Sequence, residues 1–121
     1  MDKKLLLQRK ASLDTDTVDL GPGLELTVRG LTNGEVHKCR DKAKDNRTLY
    51  EHLLISTGLV DPVMTVAEVA LWLEGDPDDP EDVGAPAGDH VQVLAAIQRL
   101  SGLAKEDATK SVRPVRRGQR R

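Results

Sequence analysis

The sequence predicts a mainly α-helical domain that begins with a small β-hairpin. Only 2% of its 121 residues are aromatic and none is Phe, so Leu, Val, Ala and Ile must build the core, which suits helices better than a β-sandwich. A Thr followed three residues later by a Glu, the spacing of a helix capping box, occurs three times. One short stretch beside a Gly-Pro-Gly turn alternates apolar and polar residues, as a half-buried strand does.

The hairpin is expected over residues 17–31. Two short runs flank Gly21-Pro22-Gly23, and the second alternates Leu24, Leu26 and Val28 with polar side chains. Period-two alternation with Gly and Pro between the runs is typical of two strands joined by a turn. The Pro within the turn leaves the turn type open.

Four helices are expected after the hairpin, with boundaries of about 33–45, 47–57, 65–74 and 89–101. Thr32, Thr48 and Thr65 can cap the first three, because a Glu follows each at the third position. Asp89 can cap the fourth helix. A glycine close behind the second, third and fourth helices favours a stop there, and the last of these is expected to form a Schellman motif.

The apolar spacing of each helix predicts which side chains face the core. They are Val36, Cys39 and Ala43 in the first helix, Leu49, Leu53, Leu54 and Ile55 in the second, Val66, Val69, Ala70 and Leu73 in the third, and Val91, Leu94, Ala95, Ile97 and Leu100 in the fourth. Trp72 lies one position off the stripe of the third helix.

Charge divides the chain into an N-terminal arm (residues 1–16), one globular domain (17–103) and a basic tail (104–121) that is expected to be disordered. The arm has one apolar triplet among charged residues and is expected to be mobile or a short helix. Within the domain, residues 75–88 are rich in Asp, Pro and Gly and form a predicted acidic loop. The formal net charge of −2 therefore conceals two segments of opposite sign.

Cys39 is the single cysteine, so no disulfide can form within one chain and a reducing cytoplasm is expected. The start of the chain has two Lys before three Leu, like a signal peptide, but that apolar run is too short. No segment approaches the length of a membrane span, so we expect no membrane partner.

No pattern of catalytic or metal-binding residues is found. His37, His52 and His90 lie on three different segments, and none has a second ligand at zinc spacing. Cys39 and His37 fall on different faces of a helix, so the pair does not form a nucleophile and base. The acidic loop lacks the ligand order of a calcium-binding EF-hand. We expect a protein that is not an enzyme and needs neither metal nor cofactor.

An ordered set of phrases runs through the domain. A hairpin ending in Val28-Arg29-Gly30-Leu31-Thr32 precedes a helix that Glu35 opens. Glu51 then precedes Gly58-Leu59-Val60-Asp61-Pro62. A helix with Glu68 and Trp72 follows, and the last helix ends in Ile97-Gln98-Arg99-Leu100-Ser101-Gly102-Leu103. In this order, residues 17–103 resemble the small tail assembly chaperones of long-tailed bacteriophages. The acidic loop and the Arg-rich tail have no counterpart in that pattern.

The resemblance implies a function and a place. Proteins of this family bind the long helical tape measure protein and keep it soluble in the host cytoplasm while tail tube subunits polymerise around it. They then leave, so that they are absent from the mature virion. The resemblance also implies that a ribosomal frameshift can extend part of the product, and it brings no catalytic residue to this chain.

Binding a helical client needs an apolar surface with polar surroundings. We expect Leu59, Val60, Trp72 and Leu73 to be the partner-binding residues, because Trp is enriched where partners bind. A lone Trp on an amphipathic helix is more often buried in the core, so a core position for Trp72 is the alternative interpretation.

The basic tail supports a different class of function, nucleic-acid binding by an accessory protein. Its arginines could neutralise phosphates: Arg113, Arg116, Arg117, Arg120 and Arg121. No aromatic residue is interleaved with them to stack on bases, and the domain has no basic recognition helix. Deleting the tail discriminates the two functions. Nucleic-acid binding by the tail predicts that binding is abolished, whereas the chaperone function predicts that client binding is largely retained. A third hypothesis is self-association, with the acidic loop of one copy against the basic tail of another.

Overall fold

The computed structural model describes residues 1–9 and 14–103, and in this part it confirms the predicted fold class, mainly helical with a small antiparallel sheet near the N-terminus. The basic tail, with its predicted disorder, lies outside the described residues. The elements in chain order are α1 (Lys3–Gln8), β1 (Thr15–Asp19), β2 (Glu25–Arg29), α2 (Asn33–Ala43), α3 (Arg47–Gly58), β3 (Leu59–Asp61), α4 (Val66–Glu74) and α5 (Ala87–Leu100). The N-terminal arm thus contains a short helix, α1, which buries none of its residues.

The sheet has the order β1-β2-β3, and both neighbouring pairs are antiparallel. The predicted hairpin is confirmed as β1 and β2, with Val18 opposite Leu26. The third strand was not predicted, because it is only three residues long and directly follows the end of α3. Its Leu59 lies opposite Val28 of β2, which makes β2 the central strand.

Two of the predicted capping boxes are confirmed. The Thr32 Oγ1 accepts from the Glu35 N–H at 3.2 Å, and the Thr65 Oγ1 accepts from the Glu68 N–H at 3.1 Å. In each box the Glu carboxylate accepts in turn from the N–H of the capping Thr. These local signals were readable from sequence because both partners lie within one turn of helix.

The predicted caps of the other two helices were wrong. Asn46, and not Thr48, caps α3, and its Oδ1 accepts from the Leu49 N–H at 3.0 Å. Asn caps at least as well as Thr, and the earlier start adds residues to the helix. Helix α5 begins at Ala87 after Pro86, so Asp89 lies inside its first turn, where its negative charge still favours the helix dipole.

Helix α3 lies at the centre of the domain and packs against α2, α4 and α5, while α5 also packs against β1 and β2. The buried apolar residues form one cluster: Val18, Val28, Leu31, Val36, Cys39, Leu54, Ile55, Leu59, Val69, Leu73, Val93, Ala96 and Ile97. Most of the predicted inward side chains belong to this cluster or pack against it.

Helix α5 is rotated from the predicted orientation. Val91, predicted to face the core, is 64% exposed, and Val93 is buried in its place with Ala96 and Ile97. Apolar residues occupy more than half of the helix circumference, so that periodicity alone allows both orientations. In α3, Leu49 and Leu53 are only partly buried, and His52 takes a core position that was not predicted.

The end of α5 is fastened to the corner between β2 and α2. The Leu31 N–H donates to the Ser101 Oγ at 2.7 Å, and that hydroxyl donates to the Ile97 carbonyl at 2.6 Å. Gly102 has a φ of 77°, and the Leu103 N–H donates to the Gln98 carbonyl at 2.7 Å, which confirms the predicted Schellman stop. The corner approaches so closely that a Cβ on Gly30 would lie 2.5 Å from the Leu100 carbonyl oxygen.

Gly30→Ala is therefore expected to lower the free energy of unfolding by about 1–3 kcal/mol, because two backbone segments must separate. Gly34→Ala is the matched control, since a Cβ there would meet only the Thr32 Oγ1 at 4.0 Å. The control should be neutral or stabilising by up to about 1 kcal/mol, since Ala favours helix over Gly. Denaturant unfolding measures both variants, and equal stabilities would contradict the close approach.

An ion pair connects β2 to the start of α2. The Arg29 guanidinium donates two hydrogen bonds to the Glu35 carboxylate, at 2.9 and 2.8 Å. These bonds, with a further one from the Thr32 N–H, lower the pKa of Glu35 from the ordinary value of 4.5 to about 2. Both side chains are roughly a quarter exposed, so solvent screens the pair in part.

This pKa shift predicts a loss of stability in acid. The folded Glu35 carboxylate resists protonation, whereas the unfolded one takes up a proton near pH 4.5, so stability falls as pH decreases from about 4.5 to 2. Glu35→Gln removes the titrating group and should flatten this part of the curve. Denaturant unfolding at a series of pH values tests it, with Glu25→Gln as an exposed control. Parallel curves for wild type and Glu35→Gln would refute the assignment.

Candidate partner-binding surface

Helix α4 has more apolar surface than the core can cover. Of its nine residues only Glu68 and Glu74 are charged, and all the others are apolar. Val69 and Leu73 are buried in the core, whereas Leu71, on another face, is 52% exposed. A helix that is apolar on nearly all sides is normally covered on all sides. The outer face of α4 is therefore a candidate contact for a partner.

This outer face borders a shallow apolar groove, called the α4 groove here. It is lined by Ala67, Ala70, Leu71, Glu74, Gly75 and Pro77. Four of these side chains are apolar, and the single charged one lies at the end of the helix. The groove is open to solvent, so a partner can enter without any movement of the core.

A second groove, called the α5 groove here, lies between α3 and α5. It is lined by Glu51, Ala87, His90, Val91, Leu94, Ala95 and Gln98. Val91, Leu94 and Ala95 provide its apolar floor, with the i, i+3 and i+4 spacing that forms one stripe of a helix. Glu51, His90 and Gln98 are the polar members around the floor.

Two imidazole–carboxylate contacts hold the helices that carry the grooves. The His52 Nε2 lies 3.2 Å from the Glu74 Oε2 and joins α3 to α4, although the His52 ring is almost fully buried. The His90 Nε2 lies 3.0 Å from the Glu51 Oε1 and joins α5 to α3. This second contact does not have the geometry of a hydrogen bond.

The sequence-predicted binding residues are distributed between core and surface. Leu59 and Leu73 are buried, at 5% and 7% exposure, and cannot reach a partner in the folded domain. Trp72 is partly buried and packs against the core, and only Val60 of the four is classed as exposed. That these residues bind a partner stays a prediction. Because Leu59 and Leu73 are buried, only Val60 and the solvated part of Trp72 could contact a partner in the folded domain.

Sequence reasoning missed Leu71 and Val91, which are the most exposed large side chains of the two grooves. A usable signal was present, because both helices carry apolar residues beyond the one stripe that a core contact requires. Counting those surplus residues would have identified α4 and α5 as candidate partner-binding helices.

In residues 1–9 and 14–103, no three His, Cys, Asp or Glu side chains come together in a group able to hold a metal ion. None of the helices in the same ranges has both the length and the apolar character to cross a bilayer. The Asp82 carboxylate accepts from the N–H groups of Asp76 and Gly84, which lowers its pKa and serves the folding of the acidic loop itself.

Comparison with known proteins finds no matching family model, no matching curated protein and no matching solved structure.

Trp72→Ala is expected to lower the free energy of unfolding by about 1–3 kcal/mol, less than the loss for a fully buried Trp, because part of the ring is solvated. Leu71→Ala is the matched neighbour on the exposed face and should cost less than about 1 kcal/mol. Circular dichroism follows both, since the first variant removes the only Trp. Equal losses would show that Trp72 is not part of the core packing.

Proposed function

We propose that the protein is a non-enzymatic chaperone that binds amphipathic helical segments of a partner. One observation carries this proposal: α4 and α5 each use one face for the core and leave a second apolar face in contact with solvent. Apolar surface of this kind costs solubility unless a partner covers it. The grooves have the apolar floor and polar margin that suit the apolar stripe of a helix.

The two grooves also fit transient binding. Each is shallow and has few large side chains, Leu71 in one and Val91 with Leu94 in the other. Small interfaces of this type bind weakly and release readily. Several copies along one extended helical client would still protect it when the chaperone is in excess, because every copy covers a short stretch. Weak, repeated binding is what a protein that must later leave its client requires.

For the client we propose the tape measure protein of a long-tailed bacteriophage, with tail tube subunits replacing the chaperone during assembly. The support is the resemblance of residues 17–103 to tail assembly chaperones together with the two open apolar grooves. On this proposal the protein acts in the host cytoplasm and is absent from the finished virion. The alternative function, nucleic-acid binding, depends on tail residues outside the part of the chain described by the structure.

Co-expression with a candidate tape measure protein tests the proposal. Wild type should keep the client soluble and co-purify with it at moderate salt after nuclease treatment. Leu71→Asp and Val91→Asp should each weaken client capture by roughly tenfold or more, because the new carboxylate must lose its water on binding. Both variants should stay folded, since the two side chains already face solvent.

Two exposed residues outside the grooves provide matched controls. Leu24, in the hairpin turn, is 56% exposed and Val63 is 82% exposed, so Leu24→Asp and Val63→Asp repeat the same substitutions elsewhere. Client capture by these controls should equal that of wild type. Equal loss in groove and control variants would refute the grooves as the site. A client that stays insoluble while the chain carries nucleic acid before nuclease treatment would refute the chaperone function itself.

A further inference from the structure

The domain carries a cluster of five positive side chains with only two carboxylates, those of Asp41 and Asp45, interspersed among them. We call it the basic corner, and it comprises Lys38, Arg40, Lys42, Lys44 and Arg47 on α2 and at the start of α3. All five side chains are exposed. Among the ion pairs of the described residues, only one involves the corner, a long contact of 3.3 Å between Arg47 and Glu51.

The basic corner is also concave. Between the end of α2 and the first turn of α3 lies an open pocket lined by Arg40, Lys44, Asp45, Asn46, Arg47 and Tyr50. Three cations and one carboxylate, that of Asp45, line this space, so its net charge is positive and a carboxylate-bearing segment can project into it. Arg and Lys in such an arrangement favour an anionic partner, and the attraction is strongest at low salt.

The acidic loop presents the opposite charge in a fixed shape. Its carboxylates are Asp76, Asp78, Asp79, Glu81 and Asp82, and no Lys or Arg pairs with them within residues 1–9 and 14–103. The Asp82 carboxylate bonds two N–H groups of the loop, and the Ala85 N–H donates to the Leu73 carbonyl at 3.3 Å. The Asp76 and Asp79 carboxylates likewise accept from the N–H groups of Asp78 and Glu81. The loop is thus held by hydrogen bonds within itself, and the side chains of Asp78 and Glu81 are exposed.

No ion pair joins these two charged regions within residues 1–9 and 14–103. Helix α3 contacts α2 through Thr57, whose Oγ1 lies 3.7 Å from the Cys39 Sγ, and it contacts the end of α4 through His52. Five residues of helix advance by about 500°, so these two contacts lie about 140° apart around α3. Helix α2, which carries most of the corner, and the end of α4, which leads into the acidic loop, therefore pack on different sides of the central helix.

We propose that this chain associates head to tail with a second copy of itself, the acidic loop of one copy entering the basic corner of the next. A second copy compensates both charged regions, whereas a polyanion such as nucleic acid would satisfy the corner and be repelled by the loop. Because the two surfaces differ, the contact is heterologous and repeats into short chains or a ring. The contact leaves the α5 groove free, whereas the α4 groove shares Gly75 and Pro77 with the acidic loop. Sedimentation without a client therefore tests this contact separately from client binding.

Sedimentation of the full chain after nuclease treatment tests the proposal. At about 0.01 M salt the Debye length is roughly 30 Å, so opposite charges attract over a long distance. The average mass should then exceed that of a monomer and grow with protein concentration. At about 0.15 M salt or above the average mass should fall, because the Debye length is then roughly 8 Å or less and the charges are screened from one another. A monomer at every salt and concentration would overturn the proposal.

Two neutralised variants make the test specific. The first, Arg40→Gln with Lys42→Gln and Lys44→Gln, removes three of the five positive charges of the corner and keeps the loop. The second, Asp78→Asn with Asp79→Asn and Glu81→Gln, removes three charges from the loop and spares Asp76 and Asp82. The amide oxygen that it introduces at position 79 can still accept from the N–H of residue 81. Each variant alone should be monomeric. An equimolar mixture should form dimers and nothing larger, because each variant retains one competent surface.

The basic tail supplies the decisive control, since it is the other cationic segment of the chain. A third variant neutralises the tail by substituting Gln for each of its arginines, Arg113, Arg116, Arg117, Arg120 and Arg121. It should associate like wild type. Loss of association in this variant, with retention in the corner variant, would assign the contact to the tail and overturn the proposal. A mixture of the first two variants that remains monomeric would overturn it equally.

Discussion

The architecture depends on one close approach between segments far apart in sequence. The corner after β2 lies directly against the end of α5, and only the absence of a side chain at Gly30 permits it. The Ser101 hydroxyl completes the contact by accepting from the Leu31 N–H while donating within its own helix. This fastening closes α5 over the sheet and against α3. It thereby sets which face of α5 is buried and which remains in water.

The apolar surface left outside follows from that geometry. With Val93, Ala96 and Ile97 directed inward, the opposite stripe containing Val91 has nothing left to cover it. Helix α4 repeats the arrangement, with Leu73 inside and Leu71 outside. A domain of this size gains stability from every buried apolar group, so leaving two faces open gives up stability that repacking could recover. The binding proposed above would account for both faces together.

The sequence predicted what depends on neighbours within a few residues. The hairpin, two capping boxes and the Schellman stop are local patterns, and each was located correctly. The orientation of α5 was missed because apolar residues occupy more than half of its circumference and only tertiary packing chooses between them. The third strand was missed because three residues are too few for a periodic signal. The grooves depend on which faces stay uncovered, a property that no single segment carries.

Trp72 gives the molecule an intrinsic optical reporter. It is the only tryptophan of the chain, it is partly buried, and it lies on α4 directly beside Leu71. Indole emission responds to the polarity around the ring, so the fluorescence of the unlabelled protein reports on this helix alone. A partner that covers the solvated part of the ring would exclude water from it and shift the emission to shorter wavelength. The ring lines neither groove, so a shift on client binding would show that the contact extends beyond the grooves along α4, and an unchanged spectrum would confine it to them, in both cases without chemical labels.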